Sequence, residues 1–274
     1  MAVQEPYPSV DEIIASIGEA GFRVSSIEAS EGAAGNISVC IRWPIEVRRH
    51  FPLVEAIELP RETPALAGAV LIVTGSGRRL RDVRTDPVAN LGAVVIDAQG
   101  RAGKLFTSTR RLFAMLTSEF NSHLAVHDDV VARTGTNFHA LIHAQPPHLV
   151  YLSHVAAYRD QSLLNQRLLR WEPETIVNLP QGIGVLPFIL PGSAALMEAN
   201  VTKLREHRVV IWGKHGVMAR SDLSVTRAAD RIDYAEPAAR YEYMDLASGG
   251  QGEGLTQDEL REVVKAFDVQ TALV

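Results

Sequence analysis

Ala93-Val94-Val95-Ile96-Asp97 runs into Ala98-Gln99-Gly100 and returns through Gly103-Lys104-Leu105-Phe106. Two extended runs joined by so short a turn can pair only as a hairpin, because a parallel crossover needs a dozen or more residues. Val209-Val210-Ile211-Trp212 passes through an equally tight connection, Gly213-Lys214-His215-Gly216, into another short strand. Further strands are predicted over 37–41, 69–73 and 138–144. Helices are predicted from the capping box Ser9-Val10-Asp11-Glu12, over 117–133, from Pro147, and over 161–170, 193–207, 222–246 and 257–267. Pro237 is expected to kink or divide the longest of these. Strands and helices thus mix without regular alternation. The fold class predicted is α/β: a single domain over residues 1–274, with a mainly antiparallel central sheet covered by helices.

Some stretches give weaker signals. Pro52, Pro60 and Pro64 mark a looping stretch, and Gly182-Ile183-Gly184-Val185-Leu186-Pro187 reads as a turn-rich link. Ile37, Val39 and Ile41 alternate with Ser38, Cys40 and Arg42, the pattern of a strand with one wet face. With 274 residues, 46% of them hydrophobic, the chain can bury an ample core. The net charge of −5 supplies no overall basic field for nucleic acid or a membrane surface. Arg78, Arg79, Arg81 and Arg84 cluster, but Asp82 and Asp86 interrupt them, which reads as a solvated face. Cys40 is the only cysteine, so neither an intrachain disulfide nor a thiolate zinc cage is possible. No apolar stretch approaches the length of a membrane span and no secretory leader pattern opens the chain, so a cytoplasmic location is expected.

The chemistry concentrates in four segments. The apolar run ending at Val73 empties into Thr74-Gly75-Ser76-Gly77, whose bare amides and hydroxyls suit an anion. Gly35-Asn36 and Thr117-Ser118 are cradles of the same kind. Each has a plain alternative: a strand terminator, a turn glycine, a helix N-cap. His143 and Gln145 lie two apart on a predicted strand and face the same way. His215 sits among glycines at positions 213 and 216, and Glu119 opens a helix whose dipole favours its ionised form. Two imidazoles and a carboxylate could bind a divalent metal, with a neutral oxygen from Gln145. His139, His148 and His154 read instead as core or surface histidines. Glu172 and Glu174 flank Pro173 in a polar turn, solvated unless a partner subunit covers them. A Gly-x-Ser-x-Gly elbow, a phosphate-binding loop of the kinase type and a dinucleotide fingerprint are all missing from the sequence.

Taken in order, these segments resemble the class II aldolase/adducin family over nearly the whole chain. The matching stretches are Gly35-Asn36-Ile37-Ser38, Ile72 to Gly77, Thr85-Asp86-Pro87-Val88-Ala89-Asn90-Leu91-Gly92, Thr117-Ser118-Glu119 and His143-Ala144-Gln145. Gly182 to Pro187, Leu190-Pro191-Gly192 and Trp212 to Val217 complete the set. The resemblance implies zinc-dependent cleavage of L-rhamnulose 1-phosphate to dihydroxyacetone phosphate and L-lactaldehyde. It implies metal ligands at His143, Gln145, His215 and Glu119, and phosphate contacts at Asn36, Ser76, Gly77, Thr117 and Ser118. It also implies a homotetramer in which Glu174 reaches in from a neighbouring subunit as a second catalytic carboxylate beside Glu119. The chain departs from the family at Gln145, where a histidine is usual, and at Ala33, where an asparagine touches the phosphate. An epimerase or dehydratase on another phosphorylated ketose, and a non-catalytic adducin-type interaction module, remain as alternatives.

Overall fold

Ser9 and Glu12 exchange hydrogen bonds between side chain and backbone, closing the capping box that starts helix α1 (Val10–Ser26). In this computed structural model residues 3–274 are described; residues 1–2, with which the expected domain begins, lie outside the described residues. After α1 come strands β1 (Asn36–Ile41), β2 (Leu53–Glu58) and β3 (Val70–Thr74), then the single-turn helices α2 (Leu80–Val83) and α3 (Pro87–Asn90). Strands β4 (Leu91–Ile96) and β5 (Ala102–Thr107) form the predicted hairpin, paired Ala93 to Phe106 and Val95 to Lys104. Helix α4 (Phe120–Thr134) leads into β6 (Phe138–Ala144), followed by α5 (Pro147–His154), α6 (Gln161–Leu169) and α7 (Pro173–Asn178). Strand β7 (Ile183–Leu186), α8 (Ala194–Glu206), β8 (Val209–Trp212) and β9 (Gly216–Ser221) complete the sheet, and α9 (Val225–Ser248) and α10 (Gln257–Ala266) close the chain.

The described strands make one sheet of nine, in the order β2-β5-β4-β3-β1-β6-β9-β8-β7. Every pairing is antiparallel except β7 with β8, which the α8 crossover makes parallel. Helices cover both faces. Ile37, Val39 and Ile41 of β1 join the core that α1, α5 and α9 build on one face. Cys40 faces the other way, into a cluster with Phe120, Leu124 and Val131 of α4.

Five expectations are corrected. All six residues of β1 are buried, since α4 lies over the face expected to be wet. Residues 53–58, inside the stretch expected to loop, form an edge strand held by pairing to β5 rather than by burial of its own side chains. Residues 183–186 are a strand, not a link, and Pro173 starts a helix where a turn is expected. Helix α9 runs unbroken through Pro237. The interior proline forfeits one backbone hydrogen bond. Its neighbours offset that loss: Ala235, Ala238 and Ala239 are buried, and the Glu236 carboxylate accepts from the amides of His148 and Leu149 at the start of α5.

Candidate metal and substrate site

Three donors converge at one end of the sheet. His143 lies near the end of β6, His215 in the turn between β8 and β9, and Glu119 at the N-cap of α4. One ligand atom from each lies within 4.8 Å of the other two. His143 Nε2 is 3.6 Å from Glu119 Oε2, and His215 Nε2 is 3.9 Å from Glu119 Oε1. Donors around a tetrahedral zinc ion sit about 3.4 Å apart, given bonds of about 2.1 Å, so the three residues fit a small divalent cation.

Each donor is aimed by its surroundings. His143 Nδ1 donates to the Val217 carbonyl at 2.9 Å, which fixes the ring with its Nε2 facing Glu119. The ring also stacks on Trp212, with centroids 4.6 Å apart and planes 19° from parallel. Gly216 makes room for it: a Cβ there would stand 2.4 Å from the Ala144 carbonyl oxygen and 2.8 Å from His143 Cε1. Lys214, in the left-handed region at φ 64°, turns the chain so that His215 faces inward, and its amide donates to Ser153 Oγ. The Asn36 carboxamide donates to Glu119 Oε2 at 2.8 Å. Burial pushes the Glu119 carboxyl up, but His143, the Asn36 hydrogen bond, His123 and His215 outweigh it and hold it below the ordinary carboxylate range. Burial and the neighbouring His143 together lower His215, against the pull of Glu119.

Beside this triad opens a cleft of about 150 Å³, lined among others by Ala33, Gly35, Asn36, Gln145, and the 75–77 and 117–119 segments. The Thr-Gly-Ser-Gly segment is only partly the bare cradle expected. Thr74 does not line the cleft; it is buried, and its hydroxyl accepts from the Ile37 amide, tying β3 to β1. The amides of Gly75 and Ser76 already donate to the carbonyls of Asn90 and Met115. What the loop offers outward is the exposed Ser76 side chain and Gly77, which adopts a left-handed φ of 69°. Thr117 is buried behind Glu119, accepting from its amide, while Ser118 is exposed. The arginine cluster is not simply solvated: Arg78 holds Asn90 and the Leu112 carbonyl, and Arg84 pairs with Glu19 over the Phe22 ring.

Glu174 does not join these residues within one chain. It is exposed on α7, which packs on α6, α9 and α10, and it does not line the cleft. Sequence reasoning missed His123, His127, Ser38 and Trp212, all buried and all supporting the triad directly or in sequence. The four-residue spacing of Glu119, His123 and His127 was the available signal, since it places the three on one helical face. His139, expected in the core or on the surface, is fully buried.

Known proteins share this arrangement of elements. A family model, the class II aldolase and adducin N-terminal domain, matches residues 17–243. A Klebsiella pneumoniae protein named rhamnulose-1-phosphate aldolase is 32% identical, over 78% of this chain and 76% of its own length. A protein of the same name from Bacteroides thetaiotaomicron is 28% identical over 98% of both chains. The crystal structure of a sugar-phosphate aldolase from Thermotoga maritima is similar with a TM-score of 0.74 and 27% identity, covering 89% of this chain and 99% of that one.

Proposed function

The chain belongs to the class II aldolase and adducin family, and from that membership we propose that it cleaves L-rhamnulose 1-phosphate to dihydroxyacetone phosphate and L-lactaldehyde. As a class II aldolase it is a carbon–carbon lyase. The observation that carries the reading is the convergence of buried Glu119 and His143 with half-buried His215 beside a cleft that presents Ser76, Gly77 and Ser118. Two named relatives that span most of the chain support the choice of sugar.

His143 and His215 present imidazole nitrogens and Glu119 a carboxylate, a donor set suited to zinc, with the Gln145 amide oxygen in the same cleft as a fourth, weaker donor. A divalent cation bound there supplies Lewis-acid withdrawal of charge from the ketose carbonyl and stabilises the negative charge released in cleavage. The rest falls to the protein. Ser76, Gly77, Thr117 and Ser118, with Gly75 and Asn36 behind them, hold the phosphate and so fix the sugar's depth in the cleft. Glu119 takes the proton from the C4 hydroxyl, the C4 oxygen becomes the aldehyde carbonyl, and the C3–C4 electron pair stays with the dihydroxyacetone phosphate fragment. That fragment regains a proton at C3, a step we give to Glu174.

Because Glu174 does not line the cleft of its own chain, this role needs a neighbouring subunit, and we propose a homotetramer that supplies it. Among the described residues no helix is long and apolar enough to cross a membrane, in keeping with the cytoplasmic location we propose. The test is release of dihydroxyacetone phosphate, followed by coupled NADH oxidation, from L-rhamnulose 1-phosphate and from L-fuculose 1-phosphate. A kcat/KM at least tenfold higher for the rhamnulose ester is expected. Equal rates, or preference for the fuculose ester, would overturn the substrate assignment.

A further inference from the structure

Between α4 and the sheet runs a seam of buried polar side chains, of which the reaction above uses only Glu119 and Asn36. Glu119, His123 and His127 lie four residues apart along α4, while Asn36 and Ser38 lie two apart along β1. Four helical residues rise about 6 Å and two strand residues about 6.6 Å, so the two rows advance in step. His139 on β6 extends the seam, since it pairs across the sheet with Cys40, two beyond Ser38. Asn36, Ser38, His123, His127 and His139 are all buried, three of them imidazoles with no access to water.

The hydrogen bonds along the seam have one consistent direction. Asn36 must turn its Nδ2 to the Glu119 carboxylate, because its carbonyl oxygen would be repelled there. Asn36 Oδ1 can then only accept, so His123 carries its proton on Nε2. The bare His123 Nδ1 accepts from the Ser38 hydroxyl. Ser38 Oγ in turn accepts from His127 Nε2–H at 2.7 Å, and His127 Nδ1 accepts from His139 Nδ1–H at 2.8 Å. His139 Nε2, buried and without a hydrogen-bond partner among the described residues, is where the chain ends. The scheme needs neutral rings, and burial keeps them so: it lowers both His123 and His127 to about 3 and holds His139 well below the ordinary histidine value.

We propose that His123 is a positioning residue for Glu119: through Asn36, and locked by Ser38, His127 and His139, it holds the carboxylate in the one orientation that faces His143 and His215. The inference rests on the reading of Glu119 as metal ligand and proton acceptor. A chain whose hydrogen bonds run one way toward Asn36 leaves that amide a single favourable orientation, with Nδ2 on the Glu119 carboxylate. Losing a link frees Asn36 to rotate and present its carbonyl oxygen to Glu119. Outer partners of metal ligands of this kind are worth about 10- to 100-fold in metal affinity or activity.

Two measurements test it. In the metal-free protein, long-range proton–nitrogen NMR of the imidazoles should show His123 and His127 protonated at Nε2 and His139 at Nδ1. A His123 ring protonated at Nδ1 would overturn the proposal without any appeal to activity. In the folded protein, His123→Leu should weaken Zn²⁺ affinity, read by competition with a chromophoric chelator, about 10- to 100-fold. It should lower kcat by a similar factor with little change in KM. His123→Gln, which can still donate to Asn36, should recover most of both. A folded His123→Leu with wild-type Zn²⁺ affinity, or a His123→Gln no better than His123→Leu, would also overturn it. Should the wild-type protein bind Zn²⁺ and show the expected tautomers yet cleave no ketose 1-phosphate, the assigned reaction fails and the positioning role stands.

Discussion

The role proposed for Glu119 asks opposite things of it: to be buried, and to stay a base. The structure resolves this locally, because the imidazoles of His143 and His215 and the Asn36 amide all favour the charged carboxylate. Glu119→Gln keeps the volume and removes the charge, so it should lower kcat by about 10²- to 10⁴-fold, the usual worth of a general base, while the far-ultraviolet circular dichroism is unchanged. A kcat within a few-fold of wild type would give the proton transfer to another group. Gln145 makes the converse case. Its side chain lines the cleft beside His143 and His215, and an imidazole is a better zinc donor than an amide oxygen. Gln145→His should therefore tighten Zn²⁺ in chelator competition, and no tightening would mean that position 145 does not reach the metal.

Packing of elements, more than any single side chain, brings the site together. Gly216 lets β9 pass against His143, and Gly216→Ala would force a Cβ to within 2.8 Å of that ring. Overpacking of this sort costs about 1–3 kcal/mol, and because it displaces a ligand it should also abolish high-affinity Zn²⁺ binding. A stable variant with intact binding would contradict the assigned geometry. The α4–sheet seam predicts acid sensitivity. Unfolded, His123, His127 and His139 titrate near 6.5; folded, His123 and His127 stay neutral to about 3. The unfolded chain therefore binds more protons below pH 6.5, so stability present at pH 7 falls with pH by about 1.4 kcal/mol per unit for each such site. Urea midpoints of the metal-free protein should drop between pH 7 and pH 5, and less steeply in His127→Gln; a flat profile would mean that the rings are not neutral in the fold. The same seam marks where the sequence was silent. The β4–β5 hairpin, α1 with its capping box, and the residues His143, His215 and Glu119 could be read from spacing and turn chemistry. The burial of Ser38 could not, because alternation along β1 specifies two faces without saying that α4 covers the second. Nor could the engaged amides of Gly75 and Ser76, which depend on partners at Asn90 and Met115 far along the chain.

At the scale of the whole molecule, the nine-stranded sheet acts as a frame that carries the ends of β1, β6 and the β8–β9 turn to one rim. One rim, however, holds one carboxylate. With Glu174 exposed on α7 and outside the cleft, the proton-return role proposed for it needs a second copy of the chain. Inactive Glu119→Gln and Glu174→Ala proteins, unfolded together and refolded as a mixture, should regain part of the wild-type rate, because some mixed sites draw an intact Glu119 from one subunit and an intact Glu174 from another. No recovery, with mixed oligomers shown to form, would confine both roles to one subunit or remove Glu174 from the reaction. Underneath all of this lies the claim that Glu119, His143 and His215 hold the cation on which carbon–carbon cleavage depends. It is tested most directly by following dihydroxyacetone phosphate release from L-rhamnulose 1-phosphate before chelation, after it, and after stoichiometric Zn²⁺ is returned. Loss of the rate with chelator and its return with metal in the wild type, but not in His143→Ala, is the result predicted; a rate indifferent to chelation would contradict it.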